Sequence, residues 1–527
     1  MKRILNISLL IAAGILVFTS CVKDLDTVPL DKDEVTAASV YEDTTNYTKV
    51  LAKLYAGLAV SGQIGPNGAG DISGIDEGFG QYLRGYWYHQ ELTTDESVMA
   101  WNDQTIKDLH WQTWGTSDVF IAAMYYRIFY QVSICNEYIR ETSESKLSER
   151  GISGDLRAKI GFYRAEARFL RALSYWHALD LFGNVPFVTE DDPVGSFFPS
   201  QIQRADLYAY VESELLAIES QMMNPRQNEY GRADKAAVWM LLAKLYLNAE
   251  VYVGQQKYTE CITYCKNVIN AGYTLEPEYQ NLFLADNDHL DEVIFAVPFD
   301  GTYTRTWGGT TFIISASVGG TMNPGDFGIS GGWGGTRTTK AFVQKFTDIT
   351  GNTDSRAMFY TDGQTLEIND VGFFNQGYAI TKFRNVKRDG APGSNQTYTD
   401  TDFPMFRLAD AYLMYAEAVL RGGSGGDLGT ATGYVNELRQ RAYGNASGNV
   451  STIDLDFILD ERARELYWEC HRRTDLVRYG LFTGGDYLWP WKGKTMDGMA
   501  TDAKYNLFPI PSSDMTANLN LKQNQGY

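Results

Sequence analysis

Apolar side chains recur every three to four residues along nine stretches of this chain, at about 41–60, 117–142, 155–182, 204–223, 232–251, 257–271, 405–421, 430–443 and 454–479. That spacing gathers them on one face of an α-helix, and a strand, whose side chains alternate with a period of two, cannot use it. The fold class expected is therefore mainly α. In "RADKAAVWMLLAKLYLNAEVYVGQQKYTECITYCKNVINAGY" (232–273) a helix carrying Trp239, Leu242 and Tyr246 turns at Gly254. A second runs through Tyr258, Ile262 and Ile269 to Gly272, where a glycine can end a helix in a left-handed residue. Two helices with small and aromatic contacts in roughly 40 residues look like a tetratricopeptide pair, although the full repeat signature is absent. Similar pairs are expected around 117–182 and 405–443.

The segments between have another texture. Residues 61–116 and 285–404 are rich in Gly, Thr, Asn, Asp and aromatics, with short strand-like runs such as "EVIFAVPF" and "TTFIISASV". The organisation expected is a helical scaffold at 41–60, 117–284 and 405–480 carrying two loop-rich excursions. With no long linker rich in Pro, Ser or one sign of charge, residues 21–527 read as a single unit. Loops on a rigid frame are where function concentrates. Within the second of them "GGWGG" (331–335) sets Trp333 between paired glycines, a poor setting for a core residue because glycine loses the most freedom on folding. Such a tryptophan is either a wedge under a loop or a ring offered flat to a ligand.

The N-terminus "MKRILNISLLIAAGILVFTSC" has a charged start, a short apolar run and small residues before Cys21, which is the pattern of a cleaved export signal over 1–20 with Cys21 positioned for acylation. The expected product is a soluble protein tethered by lipid. Its net charge is −19 with the leader and more negative without it. That balance argues against nucleic acid as a partner, since such binding rests on neutralising phosphates. The remaining cysteines, Cys135, Cys261, Cys265 and Cys470, lack zinc or redox spacing and read as core. Only five histidines occur and none are paired as HExxH, which speaks against a histidine-ligated hydrolase. Glu461 and Glu465 lie four apart on one helical face. A pair of carboxylates can hydrolyse a glycoside only from opposite sides of the bond, and Arg462 and Arg464 beside them point instead to structural ion pairs. Arg164, Glu166, Arg168 and Arg171 read the same way, with Phe169, Leu173, Trp176 and Leu179 as core.

Four segments in order, "YRAEARFLRALSYWHALDLFGNVP" (163–186), "YGRADKAAVWMLLAKLYLNAEVY" (230–252), "DTDFPMFRLADAYLMYAEAVLRGG" (400–423) and "ERARELYWECHRRTDLVRYG" (461–480), resemble the SusD family. Within it, "DEGFGQYLRG", "ELTTDES", "ADND" and "YLWPWKG" resemble its starch-binding branch. The resemblance implies a non-catalytic lipoprotein on the outer membrane, facing the exterior, that binds α-glucan and delivers it to a SusC-like TonB-dependent transporter. Carried over residue by residue, an aromatic arc falls on Trp101, Trp307 and Trp333, and polar partners fall on Asp76, Arg84 and Gln104. Flat rings suit the apolar CH faces of sugars, and Asp and Arg suit their hydroxyl rims. Gly308, Gly309, Gly331, Gly332, Gly334 and Gly335 are then expected to clear space for a polymer. Two positions depart from the pattern: Gln104 replaces an asparagine, and Trp307 replaces a tyrosine. The resemblance further implies a structural calcium ion at Asp288, Asp400 and Asp402, hard oxygen ligands that suit it; no cofactor is expected for function. The alternatives are a binder of another glycan, an outer-membrane glycosidase and a helical-repeat assembly protein.

Overall fold

The computed structural model describes residues 37–66, 70–195 and 197–527, so Cys21 and the leader lie outside the described residues. Its contacts divide the chain into Met1–Lys49, whose described part carries the short helix Ala37–Val40, and Val50–Tyr527, which holds all that follows.

The protein is mainly helical, and its long helices pack in pairs. α1 (Val119–Glu141) lies on α2 (Gly154–Leu181), and α2 on α3 (Arg204–Ile218). α4 (Lys235–Leu247) lies on α5 (Tyr258–Ile269), and α5 on α6 (Leu408–Leu420). α6 in turn meets α7 (Leu428–Tyr443) and α8 (Leu455–Leu466). Local chemistry sets the ends. Asp118 and Asp234 each accept two backbone N–H groups at the start of α1 and α4, satisfying donors that have no partner inside the helix. Gly254, at φ 68°, closes the turn between α4 and α5 as its place in the sequence suggests. Cys135, Cys261, Cys265 and Cys470 are buried free thiols.

Three expected elements come out differently. "TTFIISASV" is not a strand: Gly309–Ser317 is a helix with all nine residues buried. Periodicity is uninformative where every face is covered, and the β-branched run carried the expectation. The stretch 405–407 belongs not to α6 but to the strand β2 (Phe403–Arg407), which pairs antiparallel with β1 (Val293–Val297), the run "EVIFAVPF". The helix expected over 454–479 breaks after Leu466 and resumes only at Arg472–Arg478. Between them Trp468 and Cys470 hold φ values of 63° and 66°. Buried carboxylates draw this backbone out of the helix: Trp468 N donates to Glu96 Oε2 at 3.3 Å and His471 N to Glu91 Oε1 at 3.1 Å. Burial raises both acids, Glu91 to about 7 and Glu96 well above its ordinary range; the Glu91 charge pushes Glu96 up further, whereas the hydrogen bond between them favours the ionised form of Glu91.

The charged helix motifs are structural. Arg168 and Arg171 pair with Glu214 at 2.8 Å each, and Glu166 pairs with Arg232. Glu461 and Glu465 are fully buried in a network that ties α7 and α8 to β1 and β2. Arg407 bridges Glu292, Glu465 and Glu469 at 2.8, 2.7 and 2.6 Å, while Arg356 bridges Asp354, Glu461 and Glu465 at 2.8, 2.8 and 3.1 Å. With every carboxylate oxygen turned to a guanidinium and no solvent at hand, this pair of acids has no access to a glycosidic bond.

Candidate functional site

The buried Gly309–Ser317 helix organises the aromatic residues. A helix leaves its last carbonyls without partners, and buried carbonyls must find donors. Here the donors come from the glycine-flanked segment: Trp333 N donates to Ser315 O at 2.7 Å, Gly335 N to Ala316 O at 2.8 Å and Gly334 N to Val318 O at 2.9 Å. The segment then continues into Thr336–Arg337, which pairs antiparallel with Val98–Met99, and Ala100 N donates to Gly335 O at 2.9 Å. That register sets Trp101 beside Trp333, and the Trp101 indole N–H donates to the Trp333 carbonyl at 3.1 Å.

The glycines have a structural cause that differs from the expected one. A Cβ on Gly332 would lie 2.1 Å from the Val318 carbonyl oxygen, and one on Gly335 would lie 2.9 Å from the Trp101 ring. Gly308 and Gly309 would collide with Gln81 and Phe299, and Gly334 holds a left-handed φ of 56°. They let the chain approach a helix end and a ring closely, and only Gly331 faces open space.

The result is a row of half-buried rings in the order Trp101, Trp333, Trp307. Centroids are 6.2 Å apart from Trp101 to Trp333 and 6.1 Å from Trp333 to Trp307, with planes tilted by 40° and 54°. Tyr398 extends beyond Trp307 at 4.9 Å. Sequence reasoning missed Tyr398, which lies in a polar loop with no periodicity to mark it.

Arg84 is buried and touches residues at both ends of the row, and Asp76 lies near it. The Arg84 Nη1 donates to the Trp307 carbonyl at 2.7 Å and its Nε to the Tyr88 hydroxyl at 2.9 Å. Its guanidinium lies 4.5 Å from the Phe312 ring centroid and 5.8 Å from that of Trp101, within the range of cation–π attraction. Two of its five N–H donors therefore brace the aromatic row. Asp76 is exposed and accepts from Gly78 N and Phe79 N at 2.8 and 3.1 Å; a Cβ on Gly78 would touch both Asp76 and Arg84, so the two side chains flank one small residue. Gln104 is exposed at the start of the Gln104–Trp111 helix, and its amide donates to Asp108 at 2.9 Å on that same helix rather than to the other site residues.

Asp288, Asp400 and Asp402 are not gathered as ligands: among the described residues no group of three or more His, Cys, Asp or Glu is placed to hold a metal ion. Burial pushes the Asp402 carboxyl up to about 7, and the charges of Asp288 and Asp400 add to this, against hydrogen bonds from the Tyr230 hydroxyl and Phe299 N that favour its ionised form. Asp400 accepts from Gly301 N at 2.8 Å and from the Ser394 hydroxyl at 2.7 Å. Carboxylates are hard oxygen ligands of the kind calcium takes, but these three are not placed together around one point.

A model described as the SusD family matches residues 356–527. The Starch-binding protein SusD of Bacteroides thetaiotaomicron is 38% identical, over 97% of this chain and 96% of that protein. The SusD-like protein P25 of Formosa agariphila is 26% identical over 72% of this chain and 73% of its own length. Among solved structures, a SusD superfamily protein from Parabacteroides distasonis superposes with a TM-score of 0.70 at 22% identity, over 94% of this chain and 100% of its own. Surface glycan-binding protein A from Bacteroides thetaiotaomicron, in complex with laminarihexaose, superposes with a TM-score of 0.69 at 19% identity, over 91% of this chain and 99% of its own. At such identities the superpositions show the fold alone.

Proposed function

The chain belongs to the SusD family, and on that premise we propose that it is a surface lipoprotein that binds starch or maltooligosaccharides and passes them to a SusC-like TonB-dependent transporter. The observation that carries the reading is the row of three half-buried, mutually tilted tryptophans. Each offers apolar area at the cost of fixing only two torsions, and the tilts break the row out of a single plane. Exposed Asp76 and buried Arg84 are assigned as the hydroxyl-directed groups, and Gln104 is assigned to the rim as a weaker contributor because its amide must first leave Asp108. A protein of the same fold is held in complex with laminarihexaose, so the choice of α-glucan rests on the 38% identity to a protein named for starch and on the non-planar row. Calorimetry with maltoheptaose, a cyclodextrin and cellohexaose tests it: α-1,4 chains curl and can follow tilted rings, whereas flat β-1,4 chains touch one or two. Binding of the first two without the third is expected. Equal affinity for all three would sink the assignment, and hydrolysis of any of them would point to the glycosidase alternative.

The anchor is assigned to Cys21. In a Cys21→Ala variant the folded protein is expected in soluble rather than outer-membrane fractions, and full membrane retention would count against the lipid tether. A structural calcium ion is assigned to Asp288, Asp400 and Asp402 on their donor chemistry. Excess chelator is then expected to lower the melting temperature while leaving glycan binding in place, since a ligand of the native state stabilises it by mass action. An unchanged melting curve in chelator would remove the ion from the account.

A further inference from the structure

The aromatic row does not end with the tryptophans. The Tyr398 ring centroid lies 4.9 Å from that of Trp307, closer than either step between tryptophans, and its plane is tilted by 54°, as the plane of Trp333 is against Trp307. The ring is half-buried, with part of its surface open to solvent. Its loop is held on both sides. Asn395 Oδ1 accepts from Thr397 N at 2.8 Å and from Tyr398 N at 3.2 Å, which fixes the turn before the ring. Thr399 N donates to Thr311 Oγ1 at 3.1 Å, which ties the residue after it to the Gly309–Ser317 helix. Ser330 N donates to Gln396 O at 2.9 Å, which joins this loop to the residue just before "GGWGG". Trp333 and Tyr398 are thus registered on one helix through separate loops, and little further ordering is required when a ligand arrives.

We propose that Tyr398 is a fourth platform of the binding site, extending the row at the Trp307 end so that the protein reads glucan chain length as well as curvature. The inference rests on the α-glucan reading above. A short chain held across Trp101 and Trp333 leaves Tyr398 uncovered, whereas a heptasaccharide is long enough to span all four rings. The contact assigned is through the ring rather than the hydroxyl, which Tyr398→Phe distinguishes.

The test is calorimetry with maltotriose and maltoheptaose on the full mature protein and on Tyr398→Ala and Tyr398→Phe, with thermal melts as a fold control. Tyr398→Ala is expected to weaken maltoheptaose by about tenfold, the scale of one lost aromatic contact, with maltotriose within about twofold of the unmodified protein. Tyr398→Phe is expected to bind both as the unmodified protein does. Unchanged maltoheptaose affinity in Tyr398→Ala overturns the proposal. Equal weakening of both ligands also overturns it, because Tyr398 would then act only by bracing Trp307. If the unmodified protein binds neither ligand, the α-glucan reading itself fails and this inference falls with it.

Discussion

Trp333→Ala is expected to weaken maltoheptaose binding by about tenfold or more while leaving the fold in place. The two effects separate because this residue is anchored through its backbone: the donation from its N–H to Ser315 O and those of Gly334 and Gly335 to the same helix end do not involve the indole. Removing the ring opens the middle of the row and leaves Trp101 and Trp307 too far apart to act as neighbours. One lost stacking surface is worth roughly 1 to 2 kcal/mol of apolar burial, and 1.4 kcal/mol is tenfold in affinity. Trp101→Ala should cost more. Its indole N–H holds the Trp333 carbonyl, its face covers Gly335, and its ring packs at 6.2 Å against Phe312, so a second ring loses its support along with the first. Calorimetry on both variants, beside circular dichroism melts, decides it. Full binding by both would mean that the tryptophan between glycines is a wedge after all.

What the sequence made legible here was whatever has a period or a family pattern. α1 and α5 declare themselves because one face of each is buried and the other is not, while α4 and the second half of α2, buried on nearly every side, are legible through their length and the family pattern. The Gly309–Ser317 helix hides because all its faces are buried, and with it hides the reason for "GGWGG", whose N–H groups cap that helix end from about 16 or more residues downstream. The break after Leu466 is equally silent, since its cause is Glu91 and Glu96, some 370 residues earlier in the chain. Trp333 is marked locally by its glycines, but Trp101, Trp307 and the arc they form with it are legible only by resemblance, because a ring row assembled from separate loops has no local signature. Tyr398 had neither a period nor a motif to reveal it.

Arg407→Met is expected to destabilise the protein by about 3 to 5 kcal/mol, the cost of removing one partner from a buried charge cluster. Glu292, Glu465 and Glu469 would each lose a contact of 2.8 Å or less in a site with no water to replace it. Against the 5 to 15 kcal/mol that holds typical domains together, that is a large fraction, visible as a fall in melting temperature or loss of soluble protein. Lysine should not rescue it, because a single ammonium cannot span three carboxylates as a planar fork does. The same network gives the stability a direction in pH. Burial would raise Glu461, but Arg356, Arg464 and Arg439 outweigh it and hold the carboxyl down to about 2; Glu417 is held to about 2 by Arg478 and Arg421 in the same way. Acids depressed in the folded state contribute stability that is complete above the ordinary value of 4.5 and is lost as the pH falls toward 2. Glu91, pushed up to about 7 by burial, acts oppositely: it stays protonated in the folded protein where the unfolded chain would ionise it, so its cost grows as the pH rises from about 4.5 and is full above 7. The melting temperature should therefore peak in mildly acidic buffer and fall steeply below about pH 4, where the depressed acids take up protons. A melting temperature that stays level from pH 5 to pH 2 would mean that these ion pairs, for all their burial, do not hold the helices to the sheet.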